Sequence, residues 1–146
     1  MSSSVRRVCV VAVIGALSAA AGGTFAAEPP NLVGTWKGMA QAVHIGSNPY
    51  RVATKNGPNF PEQAIEFTYT ITEQHGNRFA GSMTNGKFSE TIIGAISPTN
   101  QSGVMTDDDG QYEFTVRDAD TLDTCYHHSF PTSRVVACWE LKRTAR

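Results

Sequence analysis

The side chains with the most obvious chemical potential in this sequence are carboxylates, tyrosine hydroxyls and a histidine from its second half. They are Glu90, Tyr112, Tyr126 and His128, together with Tyr50 and Arg51 from an earlier Asn-Pro-Tyr-Arg segment. Such groups hold the polar parts of a ligand through hydrogen bonds and ion pairs. We therefore treat these six as the candidate ligand-binding residues.

Catalytic chemistry has little support in the sequence. Glu90 and His128 could form an acid–base pair, but no Gly-x-Ser-x-Gly motif, phosphate-binding loop or metal-ligand spacing accompanies them. The run Asp107-Asp108-Asp109 lacks the alternate spacing of calcium loops, and Asp107 either faces the interior or caps the turn at Gly110. We predict a protein that is not an enzyme and uses no metal or cofactor.

The elements that must position these residues are β-strands. Apolar and polar residues alternate over 64–73, and the apolar set is Ile65, Phe67, Tyr69 and Ile71. A period of two is typical of a strand with one buried face, and similar segments follow, joined by turn signals such as Asn85-Gly86 and Asp109-Gly110. The predicted fold class is all-β, an eight-stranded antiparallel up-and-down β-barrel, because closure hides the edges of the sheet.

Turn lengths predict which residues face each other across a hairpin. A two-residue turn at Asn85-Gly86 places Glu90 opposite Gly81, and the preceding hairpin places Phe67 opposite Met83. Glu90 then faces the barrel interior unless a local bulge turns it outward.

Export is indicated by the first 26 residues. Arg6 and Arg7 precede an apolar run over 8–17, which passes into small residues that end at Ala26. This pattern predicts a signal peptide removed after Ala26 and a single domain over 27–146. The apolar run is shorter than the roughly 20 residues of a membrane anchor. We expect a periplasmic or secreted protein with no membrane span after cleavage.

Two of the three cysteines, Cys125 and Cys138, lie after the predicted signal peptide, and they test the predicted pairing of the last two strands. If Tyr126 lies opposite Ala137, the two cysteines lie directly opposite each other on the outer face of the last hairpin. Opposed residues of antiparallel strands are close enough for a disulfide, and an exported protein meets an oxidising environment. The sequence contains no Cys-x-x-Cys motif, which would have suggested zinc binding or redox chemistry. We predict a structural disulfide.

The two ends of the predicted barrel differ in character. One end collects apolar residues that should plug it: Val33, Trp36, Ile71, Phe79, Ile92, Ile96, Val116, Leu122 and Leu141. The other end, which we call the mouth, collects the candidate ligand-binding residues and the long connection 46–63. Long loops on a rigid barrel are frequent binding sites. We therefore predict that function resides at the mouth.

The first strand does not keep one phase. Trp36 points to one face of this strand. The apolar residues Met39, Val43 and Ile45 lie an odd number of positions after it and therefore point to the opposite face. A bulge near Gly38 would bring both sets to the interior.

The stretch Gly34-Thr35-Trp36, followed by eight predicted strands, resembles the start of calycin-type small barrels such as lipocalins and avidins. This resemblance implies a barrel closed at the Trp36 end, with a basic residue after the last strand packed over that tryptophan. Arg143 is the candidate for this structural role. Avidins line their biotin site with several tryptophans, whereas this chain has only Trp36 and Trp139, so biotin is not an expected ligand.

Three functions fit this interpretation. The first is binding of a small molecule or peptide at the mouth. The second is a protein-interaction module, such as a periplasmic protease inhibitor, that acts through the loop 46–63 or through an end of the barrel. The third is an envelope structural protein without a ligand. The net charge of residues 27–146 is near −3, and the absence of a basic run argues against nucleic acid. An interior cavity no larger than a few waters would argue against a small molecule held inside the barrel.

Overall fold

A computed structural model of the protein describes residues 27–146. The predicted signal peptide, residues 1–26, lies outside the described residues. The strands are β1 (Gly34–Ala40), β2 (Ala42–Ile45), β3 (Ile65–His75), β4 (Arg78–Thr84), β5 (Ser89–Ile96), β6 (Ser102–Thr106), β7 (Gln111–Asp118), β8 (Thr121–Ser129) and β9 (Arg134–Ala145). Within residues 27–146, no helix has the length and apolar character needed to cross a membrane.

The sheet closes on itself. From β3 to β9 each strand pairs antiparallel with the next, and β1 pairs with both β3 and β9. β2 continues β1 after Gln41 and also pairs with β9, so the two segments act as one barrel strand. The predicted eight-stranded antiparallel up-and-down barrel is confirmed.

The first strand keeps one phase throughout, and the predicted bulge near Gly38 is wrong. Trp36, Ala40 and His44 are buried, whereas Met39 is 55% exposed. The inward position Gly38 lies against the indole of Trp139, where a Cβ atom would overlap the ring. Small residues such as Gly38 and Ala40 therefore occupy inward positions of this strand, while the large apolar residue Met39 points outward. The size of the apolar residues thus led to the wrong assignment of the inward face.

Two predicted hairpin registers are also wrong. β3 pairs with β4 through Tyr69 and Met83, rather than through Phe67 and Met83. β4 pairs with β5 so that Met83, not Gly81, lies opposite Glu90. The turn after β4 has four residues because the Asn85 side chain accepts the amides of the two residues at its far end.

The corrected register still directs Glu90 inward. Met83, its partner across the strands, is buried in the core. Directly opposed residues of an antiparallel pair point to the same face of the sheet. No bulge turns Glu90 outward within this strand pair.

Trp36 and Arg143 seal the closed end as predicted. The Trp36 indole donates to the Leu32 carbonyl at 2.9 Å, and the Arg143 guanidinium lies 4.0 Å from the centre of the indole ring. This distance is typical of a cation–π contact. Most of the predicted apolar plug is buried around them: Ile71, Phe79, Ile92, Ile96, Leu122 and Leu141.

The last hairpin has the predicted register. Tyr126 pairs with Ala137, and Cys125 pairs with Cys138. The two cysteines form a disulfide with their Cα atoms 4.0 Å apart. The prediction of a cross-strand disulfide is confirmed.

Candidate functional site

The long connection 46–63 is folded over the mouth by a turn at its start. The side-chain oxygen of Asn48 accepts the amides of Tyr50 at 3.0 Å and Arg51 at 2.9 Å. Further along, the backbone of Asn59 pairs with that of His44 at 2.8 and 3.1 Å, which ties the loop to β2. These contacts fix Tyr50 and Arg51 above the barrel interior.

A cavity of about 50 Å³ lies beneath this turn. That space holds a few waters at most, because a cavity must offer roughly 10–15 Å³ for each water that it holds. Pockets for drug-sized ligands are larger, at about 300–1,000 Å³. A whole small molecule is therefore not accommodated inside the barrel, whereas a small head group is.

All four tyrosines of the chain line this cavity. Three of them donate hydrogen bonds to three different carboxylates: Tyr50 to Glu90, Tyr112 to Asp107 at 2.6 Å and Tyr126 to Asp109 at 2.8 Å. Burial is the main cause of the raised pKa values of these three hydroxyls. They stay protonated at neutral pH and act as donors.

The three carboxylates form a compact cluster. Glu90, Asp107 and Asp109 each offer an oxygen within 4.8 Å of the other two, so a single cation could contact all three. Burial raises the pKa of Glu90 to about 7, and the charges of Asp107 and Asp109 act in the same direction, against the hydrogen bond from Tyr50. The cluster therefore binds a proton readily near neutral pH.

Asp107 both caps its turn and faces the cavity. Its Oδ1 accepts the amides of Asp109 at 3.2 Å and Gly110 at 2.6 Å, and its Oδ2 accepts the Tyr112 hydroxyl. Gly110 is required by close approach, since a Cβ atom there would overlap the ring of Tyr126. The turn thus orients one carboxylate and supports one wall of the cavity.

A buried hydrogen-bond chain positions Tyr126. Its hydroxyl lies 2.8 Å from His128 Nδ1, and His128 Nε2 lies 3.0 Å from Ser133 Oγ. A tyrosine hydroxyl has one hydrogen, so when Tyr126 donates to Asp109 the histidine Nδ1–H donates to Tyr126. In neutral His128, Nε2 then accepts from Ser133. This chain holds Tyr126 and Asp109 in place.

Three buried polar atoms near the cavity make no hydrogen bond of good geometry among residues 27–146. They are the Tyr69 hydroxyl, Glu90 Oε2 and Trp139 Nε1, although the Tyr69 hydroxyl lies beside that of Tyr112 and the Glu90 carboxyl lies beside that of Asp107. Tyr69 is only 2% exposed, and both Tyr69 and Trp139 line the cavity. Buried polar groups are nearly always paired in native proteins, so these three atoms are available to pair with a polar group that enters the cavity.

The structure brings most of the predicted site residues together. Tyr50, Glu90, Tyr112, Tyr126 and His128 all belong to the mouth network. Arg51 lines the cavity, but its guanidinium donates to the Gln63 carbonyl at 2.8 Å and to that of Ala40 rather than to the carboxylates.

The candidates selected from the sequence do not include five residues of the network: Tyr69, Asp107, Asp109, Ser133 and Trp139. The alternation of its strand places Tyr69 in an apolar set, and the Asp107-Asp108-Asp109 run only argues against a calcium loop. For Tyr69 and Trp139 the useful signal was the chemistry of the side chain and not the alternation along the strand. Each ring carries a polar atom that needs a hydrogen-bond partner when it is buried.

The architecture is consistent with the calycin-type barrel that the first strand suggested. Comparison of the chain with models of known protein families, with curated proteins and with solved structures found no match. A function for the site is therefore inferred from the geometry of the mouth alone.

Proposed function

We propose that this is an exported, non-enzymatic binding protein that holds a small molecule or peptide at the barrel mouth, opposite Trp36. The observation that carries the proposal is the group of unpartnered buried atoms on Tyr69, Glu90 and Trp139. Leaving such an atom unpaired costs about 1–3 kcal/mol. A binding site accepts this cost because the ligand supplies the missing partners.

The size of the cavity limits how the ligand binds. Space of about 50 Å³ admits only one end of it, and the remainder passes out beside Tyr50 and Arg51. The loop 46–63 then contacts the outer part of the ligand. A peptide side chain or the head group of a small molecule satisfies this geometry.

A binding role also agrees with the other features of the site. Ser133 and His128 form a hydrogen-bonded pair, but both are buried, which favours a positioning role over nucleophilic chemistry. The Cys125–Cys138 disulfide supports export to an oxidising compartment, as expected for a periplasmic or secreted protein.

Native mass spectrometry of the protein purified from cells tests the proposal. We expect a non-covalent adduct that is lost on denaturation. Ala137→Leu should abolish the adduct, because Ala137 is buried and lines the cavity. Val136→Leu is the matched control, since this neighbour on β9 is exposed. An adduct of equal abundance in both variants would place binding elsewhere, and absence of any adduct would count against a tightly held ligand.

A second candidate is a protein-interaction module acting through the loop 46–63. Val52 is 79% exposed and Phe60 is 74% exposed on this loop, and exposed apolar groups are common at protein interfaces. Limited proteolysis of the loop with and without envelope extract tests this function. Protection that is lost in Phe60→Ala would support it, whereas equal cleavage in both samples would oppose it.

A further inference from the structure

We infer that the mouth takes the ammonium group of a primary alkyl amine, with the alkyl chain leaving the barrel past Tyr50. This inference rests on the proposed function and names the chemical class of its ligand. A lysine side chain of a peptide and a free alkyl amine share this chemistry.

The charges around the cavity favour a cation. Glu90, Asp107 and Asp109 present oxygens within 4.8 Å of one another, and no lysine or arginine among residues 27–146 forms an ion pair with them. Two basic side chains lie nearby: His128, whose Nδ1 is 3.9 Å from Asp109, and Arg51, which lines the cavity but donates to backbone carbonyls. Three carboxylates this close repel one another, and a bound cation removes that repulsion.

The Tyr69 hydroxyl supplies an independent indication of a ligand. It is buried and makes no hydrogen bond of good geometry within residues 27–146, and its ring lines the same cavity as Asp107. The neighbouring Tyr112 hydroxyl donates its own hydrogen to Asp107 and can only accept from Tyr69, which leaves the Tyr69 oxygen free as an acceptor. An ammonium group has three donors and no acceptor. It can donate to the Tyr69 oxygen, to the unpartnered Oε2 of Glu90 and to Asp107, which satisfies two of the three orphaned atoms.

The walls of the cavity favour an organic cation over a metal ion. Tyr69, Tyr112, Tyr126 and Trp139 all line it, and the faces of aromatic rings attract alkylammonium groups. Calcium needs 6–8 oxygen ligands. Here several carboxylate oxygens already accept tyrosine hydroxyls or backbone amides, which leaves fewer free than that ion requires.

Titration with n-pentylamine, 1-pentanol, pentanoate and calcium chloride at pH 8 tests the inference. These organic probes have similar size and differ in charge. The readout is the indole N–H resonance of Trp139 in a nitrogen–proton correlation spectrum, with the Trp36 resonance as an internal control at the closed end. We expect saturable movement of the Trp139 resonance with the amine alone.

Two variants assign the effect to the cluster. Glu90→Gln should weaken amine binding by about tenfold or more, since hydrogen bonds to charged groups contribute roughly 1.5–3 kcal/mol. Tyr69→Phe should also weaken it. Glu113→Gln is the control, because Glu113 lies exposed on the outer face of β7.

The possible results separate this inference from the proposed function. Binding of 1-pentanol or pentanoate as strong as that of the amine would overturn the choice of an amine and would leave mouth binding standing. A response to calcium in place of the amine, or amine binding unaffected by Glu90→Gln, would also overturn it. Failure of the amine while native mass spectrometry shows an adduct at the mouth would do the same.

Discussion

Tyr50 on the long loop donates a hydrogen bond to Glu90 on β5, and this contact joins the loop to the barrel across the mouth. The ring of Tyr50 also packs edge-on against Phe67 at 5.3 Å and Phe88 at 5.5 Å. The residue that covers the cavity is thus held by one polar and two aromatic contacts. A ligand whose outer part leaves the barrel beside Tyr50 must displace or adjust these contacts.

Tyr50→Phe should loosen the loop without unfolding the barrel. The ring contacts remain and only the hydroxyl is lost, so we expect local opening to become roughly fivefold more frequent, equivalent to about 1 kcal/mol. Trypsin cleavage after the exposed Lys55 measures this opening. An unchanged global unfolding midpoint is the control, and an unchanged cleavage rate would show that the hydroxyl does not secure the loop.

Glu90 should make the stability of the protein fall as pH rises from about 4.5 to about 7. Its pKa is raised from 4.5 to about 7 in the folded state by burial and by Asp107 and Asp109. Because the folded state binds this proton more tightly than the unfolded state, the stabilisation is complete below the lower value and is lost as pH rises through the higher one.

The groups that interact with Glu90 are Tyr50, Tyr69, Asp107, Asp109 and Tyr126. Denaturant unfolding of Glu90→Gln and Glu113→Gln across this pH range isolates its contribution. Glu90→Gln should remove much of the downward slope, and Glu113→Gln should keep it. Parallel pH curves for wild type and Glu90→Gln would show that Glu90 has an ordinary pKa.

Tyr69→Phe should raise the stability of the ligand-free protein by about 1 kcal/mol, because it removes a buried hydroxyl without a partner. Tyr112→Phe is the matched comparison, since it removes a hydroxyl that donates to Asp107, and should lower stability by a similar amount. Denaturant unfolding measures both. A loss of stability in Tyr69→Phe would mean that its hydroxyl is already satisfied.

The Cys125–Cys138 disulfide should contribute up to about 3 kcal/mol, because it closes a short loop of sequence separation 13. Replacement of both cysteines by serine should lower the free energy of unfolding by this amount. Dithiothreitol should have the same effect on the wild type and none on the variant. Equal stability of oxidised and reduced wild type would contradict a structural role.

The sequence was sufficient for the barrel and for its last hairpin. There the alternation of Thr124, Tyr126, Ala137 and Trp139 was consistent with one register, and the cysteines tested it. The register around Asn85 was not predictable from the Asn-Gly pair, because the asparagine side chain caps a longer turn. A register changed by two residues keeps each side chain on its face, which is why Glu90 was still assigned to the interior.

The site was less predictable than the fold. Residues at the strand ends, such as Tyr126 and His128, could be assigned to the mouth by strand direction. The pairing of each carboxylate with its own tyrosine could not, because it depends on where the turns at 46–51 and 107–110 direct their side chains. Tyr69 is the clearest example of a site residue that the sequence does not reveal. Its position in the alternating strand is that of a core residue, and only the unpaired hydroxyl in the structure separates it from the rest of the core.

The two tryptophans provide the most direct test of a binding site at the mouth. Trp36 donates to Leu32 at the closed end, whereas Trp139 Nε1 is unpartnered among residues 27–146 and lies at the cavity. The measurement compares their indole N–H resonances in the protein as purified and after removal of small molecules by unfolding and refolding with the disulfide intact. A ligand bound at the mouth should move the Trp139 resonance and leave the Trp36 resonance in place. Two identical spectra, or equal movement of Trp36, would contradict binding at the mouth.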